Sequence, residues 1–153
     1  MKIRKAEKED LGEIDKIYVE GSIDEGKLQF PKVSEKEMLK ELEKYSKIRR
    51  QGFRRELKNK KHYWIVVKIN KGIVGFGQAR IKNKYVGMVE KIYVYRKFRR
   101  KGIGKKILKK LILWLKNKKV KHIEAGIYWN NKPSIKLQKR LGFKPISLRM
   151  RLK

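Results

Sequence analysis

The chain has no cysteine, three prolines and two histidines among its 153 residues. Missing thiols exclude disulfides, thiolate metal centres and a cysteine nucleophile. The two isolated histidines, His62 and His122, do not suggest a histidine-rich metal site, so no metal is expected. No run of 18 or more uncharged apolar residues is present to span a bilayer, and the opening MKIRKAEKEDL lacks the apolar core of a secretory leader. The expectation is a soluble, cytoplasmic protein. Repeats and Gly/Ser-rich or Pro-rich linkers are also missing, so residues 1–153 are expected to form one domain.

Acidic residues are scarce over most of the length, because twelve of the fifteen fall within the first 43 positions. Nine Lys and Arg leave that segment at −3, and 36 against three acids leave the remainder at +33. Such a field attracts the phosphates of a cofactor or of nucleic acid. A Cys-free chain with 39% charged residues, rich in lysine, equally fits a hot habitat, so composition leaves both explanations open.

Hydrophobic periodicity gives the order of elements. MKIRKA alternates as a strand, and Asp10 is placed to cap a helix bearing Leu11, Ile14, Ile17 and Tyr18. Gly21 to Val33 reads as a loop. Ser34 and Glu37 form a capping box for a helix with Met38, Leu39, Leu42 and Tyr45 on one side, which continues or breaks near Gly52. YWIVVKI, IVGFGQARIK and YVGMVEKIYVY read as three antiparallel strands, the first two joined by Asn70-Lys71-Gly72, with a bulge expected at Gly75 and Gly77. A helix from Ile103 to about Lys116, a strand from about Val120 to Trp129, a helix from Pro133 to Leu141 and a strand from Phe143 onward complete the pattern. This order implies an α/β fold of the α+β kind: a mixed, mostly antiparallel sheet with helices on both faces.

Arg99-Arg100-Lys101-Gly102-Ile103-Gly104-Lys105-Lys106 is the segment with chemical content. A helix N-terminus carries free N–H groups and partial positive charge, so lysines in its first turn oppose the dipole by about 0.3–1 kcal/mol each. A negative ligand relieves that conflict, and Gly102 and Gly104 allow a tight turn and close backbone approach to a pyrophosphate. The P-loop pattern is absent, and the third glycine of the dinucleotide fingerprint is missing. A solvated basic loop is the competing reading.

These residues resemble the [RQ]-x-x-G-x-[GA] loop of the GNAT superfamily of acetyl-CoA-dependent N-acetyltransferases. The preceding VEKIYVYRKF is similar to that family's fourth strand, and Asn131-Lys132-Pro133-Ser134-Ile135 with Leu141-Gly142-Phe143 to its Asn…Ser/Ala-Ile…Gly-Phe segment. The resemblance implies a central pair of strands that splay apart. It also implies that main-chain groups of Ile92, Tyr93 and Val94 pair with the pantetheine arm, that amides from Arg100, Lys101, Gly102, Ile103, Gly104 and Lys105 cradle the pyrophosphate with Arg99 among the cofactor-binding residues, and that Asn131 and Ser134 lie beside the arm. A helix cap is the alternative role for Asn131.

Glu90 is the only carboxylate between Glu56 and Glu124, and strict alternation puts it on one strand face with Met88, Ile92 and Val94. An acid among apolar neighbours holds its proton more tightly, which suits a base working near neutrality. The resemblance implies that Glu90 is the general base, directly or through water; a structural salt bridge is the alternative. Where the family pattern has a tyrosine that protonates the leaving thiolate, this chain has Gln138, whose amide has no proton to give, leaving water or Tyr128 as donors.

The function implied is direct acetyl transfer from acetyl-CoA to a primary amine of a small molecule, a protein N-terminus or a lysine. A catalytically silent acetyl-CoA-binding regulatory domain and a basic RNA- or ribosome-associated protein are the alternatives. Homodimerisation and the identity of the acceptor are left open.

Overall fold

Trp64-Ile65-Val66-Val67 is apolar on both strand faces, the pattern of a sheet covered on two sides. In the computed structural model, which describes residues 1–153, all four are buried. The strands are β1 (Lys2–Lys5), β2 (His62–Ile69), β3 (Gly72–Ile81), β4 (Val86–Val94) and β5 (His122–Ala125). The helices are α1 (Leu11–Gln29), α2 (Glu35–Lys44), α3 (Ser46–Lys58), α4 (Ile103–Asn117) and α5 (Lys132–Arg140). The sheet has the order β1-β2-β3-β4-β5, antiparallel throughout except for the parallel pair β4–β5. The expected mixed, mostly antiparallel sheet with helices on both faces is therefore present.

Each face carries its own core. Ile65, Val67, Val89 and Val94 pack with Ile103, Ile107, Leu108, Leu111 and Leu115 of α4, and Leu137 of α5 joins them. Trp64, Val66 and Phe76 pack on the other face with Leu11, Ile14 and Ile17 of α1 and Phe53 of α3. Burying each such side chain contributes about 1.5–3 kcal/mol. In contrast, α2 buries no residue, so its apolar positions serve contacts with α1 and α3.

Six sequence expectations need correction. The span Gly21 to Val33 is mostly helix, because α1 continues to Gln29; Gly21 is there because the Tyr93 ring occupies the space its Cβ would need. Asp10 makes no side-chain cap on α1; its carboxylate instead accepts from Arg4 and from the Glu7 amide. The helix opened by Ser34, whose hydroxyl accepts from the Glu37 amide at 3.1 Å, breaks at Tyr45, and α3 runs through Gly52. No strand follows Phe143. Gly142, at φ 95°, ends α5 with Gly142 and Phe143 amides returning to the Lys139 and Gln138 carbonyls. Beyond it, Arg151 holds the tail on α1, donating to the Gln29 carbonyl at 3.2 Å and lying 4.6 Å from the Phe30 ring centroid.

The strand expected over Val120 to Trp129 shortens to His122–Ala125. Gly75 and Gly77 are not themselves the bulge: the register shifts lie beside them, at Val67/Lys68 and at Gln78/Ala79. Both glycines are packing sites. A Cβ on Gly75 would stand 3.0 Å from the Tyr93 carbonyl oxygen, and one on Gly77 would overlap Cγ2 of Ile107. Their bareness lets α4 close onto β3.

Gly77→Ala is expected to cost about 1–3 kcal/mol by forcing α4 away from the sheet. Gly12→Ala, at a helical position with open space around it, should stabilise by about 0.4–1 kcal/mol. Urea unfolding of both variants measures the contrast, and equal effects would contradict the packing role of Gly77.

Candidate active site

β4 keeps β3 beside it along its length, up to Gly75↔Val94, but its pairing with β5 covers only Val86↔His122 to Val89↔Ala125. Beyond Val89 one edge of β4 is open. The break coincides with a bulge: Gln78 opposes Lys91 and Ala79 opposes Val89, leaving Glu90 as the extra residue. Bulges bend a strand and end its pairing, and here the bend parts β4 from β5. The main chain of Ile92 is thereby available on the open side, whereas that of Tyr93, expected beside it, turns toward β3, its carbonyl oxygen 3.0 Å from where a Gly75 Cβ would stand, and the Val94 carbonyl already accepts from Arg99 Nε at 2.8 Å.

The same bulge corrects the expected face of Glu90. Ile92 and Val94 pack toward α4, while Glu90 lies on the opposite face with Lys91. Its surroundings are not apolar, because its carboxylate is paired with the Arg80 guanidinium. Beside it, Lys91 Nζ donates to Gln78 Oε1 at 2.9 Å and lies 5.9 and 5.8 Å from the Phe53 and Trp64 ring centroids. Burial lowers the Lys91 pKa, against the attraction of Glu56 and Glu90. The Gln78 amide in turn donates to Glu56 Oε2 at 2.7 Å and meets His62 Nδ1 at 2.9 Å.

At the end of β4 the turn Arg96–Phe98 leads into the basic loop. Arg100 at φ 64° and Gly102 at φ 77° are left-handed and fold the loop into a concavity. None of the amides from Arg100, Lys101, Gly102, Ile103, Gly104 or Lys105 has an acceptor within the protein; the first bond back is Lys106 N–H to the Gly102 carbonyl at 3.2 Å. The first turn of α4 has no acidic residue. Six free donors, the positive end of a helix and several lysines thus meet without a protein counter-charge, which is the chemistry of a pyrophosphate site. A Cβ on Gly104 would lie 3.7 Å from Leu137 and 4.0 Å from Ile92, so the loop sits directly over the junction of β4 and α5.

On the far side of the opening, Asn131 Oδ1 accepts from the Ser134 amide at 3.4 Å, so Asn131 does cap α5; its own amide group stays free. Gln138 is 6% exposed and its Oε1 has no hydrogen-bond partner, an acceptor buried without a donor. Tyr128 is exposed.

The residues that sequence reasoning missed lie in the part of α1 that reads as a loop. Asp24 binds Arg99 at 2.7 Å and Arg96 at 2.6 Å, and Glu20 accepts the Arg96 amide at 2.6 Å. The Arg99 side chain is therefore spent on α1 and on the Val94 carbonyl, and its amide donates to the Arg96 carbonyl at 3.2 Å, so the free cradle amides begin at Arg100. Glu25 accepts from the Tyr93 hydroxyl at 3.1 Å. The spacing of Ile17, Gly21 and Leu28 is the available signal for helix, obscured by the glycines at 21 and 26.

A sequence model described as the Acetyltransferase (GNAT) family matches residues 25–143. No curated protein matches the sequence. Among solved structures, a Bacillus halodurans protein determined as a tetramutant has a TM-score of 0.76 at 19% identity, over 100% of this chain and 99% of its own. The PaiA N-acetyltransferase of Thermoplasma acidophilum, in complex with coenzyme A, has a TM-score of 0.74 at 19% identity, over 94% of this chain and 89% of its own. An aminoglycoside 6'-N-acetyltransferase of Acinetobacter haemolyticus, in its apo form, has 0.68 at 19%, over 100% and 97%. At such identities the likeness concerns the fold.

The strap between α1 and the basic loop should respond to acid. Burial raises the Asp24 pKa, but hydrogen bonds and charge from Arg96 and Arg99 outweigh it and the net value is lowered. Its contribution is full above the ordinary carboxylate pKa of about 3.9 and is lost as pH falls through the lowered folded value. The melting temperature of Asp24→Asn should therefore lie below that of the native protein at pH 6, with the gap narrowing toward pH 2.5. A gap independent of pH would contradict the strap.

Proposed function

The chain belongs to the acetyltransferase (GNAT) family, and from that premise we propose that it moves an acetyl group from acetyl-CoA to a primary amine by direct attack. The observation that carries this reading is the set of unpartnered amides from Arg100 to Lys105 at the N-terminus of α4, set beside the open edge of β4. Those amides would bind the pyrophosphate, with Lys101 and Lys105 adding positive charge. The main chain of Ile92, with the N–H of Val94, would pair with the pantetheine arm as an added strand. The free amide group of Asn131 and the Ser134 hydroxyl would face that arm from α5. Gly102 supplies the left-handed turn, and Gly104 the close approach.

When bound, acetyl-CoA supplies an activated acetyl thioester. A β4 N–H past the bulge would polarise its carbonyl oxygen as negative charge develops there. Holding both partners in the opening turns an encounter into a reaction between neighbours. No residue need form a covalent intermediate, which agrees with the lack of cysteine. Gln138 does not supply a proton, since its amide has none to release. The unpartnered Oε1 can accept from the product thiol or from an arm N–H. Glu90 remains a proton acceptor through water only if Arg80 leaves one carboxylate oxygen free.

A second reading, a domain that binds acetyl-CoA without turning it over, is favoured by the glutamine at position 138. Thiol release from acetyl-CoA in the presence of an amine panel distinguishes the two: native turnover sustains the transferase, and its absence despite tight binding sustains the silent domain.

Gly104→Asp should abolish acetyl-CoA binding by placing a carboxylate against the pyrophosphate, whereas Gly104→Ala, whose Cβ meets only ordinary contacts, should fold normally. Calorimetric titration decides. Unchanged affinity in folded Gly104→Asp would remove the basis of this reading.

A further inference from the structure

Glu25 differs from the carboxylates that surround it. Asp24 is matched by Arg96 and Arg99, Glu90 by Arg80, and Glu35 by Lys27, but Glu25 has no cation within ion-pair distance. Its one hydrogen bond is from the Tyr93 hydroxyl, a residue of the open stretch of β4.

Its position is set from three sides. Gly21, Glu25 and Leu28 are spaced i, i+4, i+7 on α1 and so lie along one side of the helix. Gly21 is pressed against the Tyr93 ring, and the Leu28 carbonyl accepts from Asn130 Nδ2 at 2.9 Å. Tyr93 belongs to the β4 bank of the opening and Asn130 to the segment that follows β5. Consequently α1 bridges the two banks, and Glu25 stands midway along the bridge.

We propose that Glu25 is the carboxylate that receives the acceptor's ammonium group and removes its proton, so that the acceptor is a cationic amine. This assignment rests on the acetyl transfer proposed above. A carboxylate oxygen of Glu25 takes one ammonium proton; the freed nitrogen lone pair forms the C–N bond to the acetyl carbon. The C–S bond breaks with its electron pair on sulfur, and the second nitrogen proton passes through water to that sulfur, giving amide and thiol. The proton on Glu25 returns to solvent.

The electrostatics suit this role. Burial raises the Glu25 pKa and neighbouring Asp24 adds to the rise, while the Tyr93 hydrogen bond and the charge of Arg99 oppose it. Tyr93 faces it with Tyr18 and Ser22 nearby, and its phenol is held protonated by burial and by Glu25 itself. A carboxylate with a raised pKa is a stronger base than an exposed one, and an uncompensated charge in a half-buried place attracts a cation. The surrounding basic surface makes this carboxylate a distinctive mark for an ammonium group.

Two coenzyme A thioethers test the assignment without knowledge of the natural acceptor: S-(4-aminobutyl)-coenzyme A, which carries an ammonium, and its neutral counterpart S-pentyl-coenzyme A. The native protein should prefer the cationic probe about tenfold at pH 7, the size of one charge-assisted hydrogen bond. Glu25→Gln should bind S-pentyl-coenzyme A as the native protein does and lose the preference, while Glu90→Gln keeps it. The preference should fade on acidification, with a midpoint that Tyr93→Phe moves upward, because the lost hydrogen bond favours the carboxylate. A preference retained in Glu25→Gln, or lost in Glu90→Gln instead, overturns the proposal. Failure of the native protein to bind S-pentyl-coenzyme A at all is a different result: it overturns the acetyl-CoA reading and this assignment with it.

Discussion

β4 cannot remain paired with β5 beyond Val89, and the site depends on that parting. A strand bulged at Glu90 is bent, and a neighbour that stays parallel for four residues cannot follow the bend. Ile92 then keeps its main chain free, the chain beyond Val94 is carried into the basic turn, and the amides of α4 lie at the same opening. On the other bank, β5 gives way to the segment ending in Asn131, which caps α5. One local irregularity thus produces both a sheet edge for hydrogen bonding and the anion cradle at its end.

The uneven charge has a structural use apart from any partner. Acids crowd into the first 43 residues, and Glu13, Glu20 and Asp24 of α1 face the positively charged chain that follows β4. Glu13 accepts from the Tyr95 hydroxyl at 2.7 Å, Glu20 from the Arg96 amide, and Asp24 from Arg96 and Arg99. These contacts hold the start of the phosphate loop against the first long helix. Further along α3, Arg49 and Arg50 converge on buried Asp15 at 2.6 and 3.0 Å, which locks α3 to α1. Removing one partner of such a pair would leave a charge without compensation in a poorly solvated place, so the acids of α1 are constrained by the fold.

Close backbone approach is the second recurring device. Gly77 admits α4 to the sheet, and Gly21 admits the Tyr93 ring to α1. In both cases the glycine marks a contact between distant parts of the chain, not a turn. A single sequence read for local conformation interprets such residues as breakers or bulges, and for this reason the second half of α1 has the local signature of a loop.

Elements with strong local signals are legible in the amino-acid order alone: the α4 stripe from Ile103 to Leu115, the Ser34 cap, the three central strands and the glycines of the basic loop all depend on neighbours within a few residues. The family resemblance rests on those same short segments. What local order cannot supply comes from pairing across long separations. A bulge is a mismatch between two strands, so alternation within β4 places Glu90 beside Ile92 and Val94, whereas the register with β3 turns it toward Arg80. Alternating apolar residues after Phe143 have strand character, yet a strand exists only where an edge receives it, and Arg151 holds that segment against α1 instead. Glu25 is hidden for the same reason: its spacing from Gly21 and Leu28 lies in the sequence, but its missing cation and its bond to Tyr93, 68 residues away, belong to the folded chain alone.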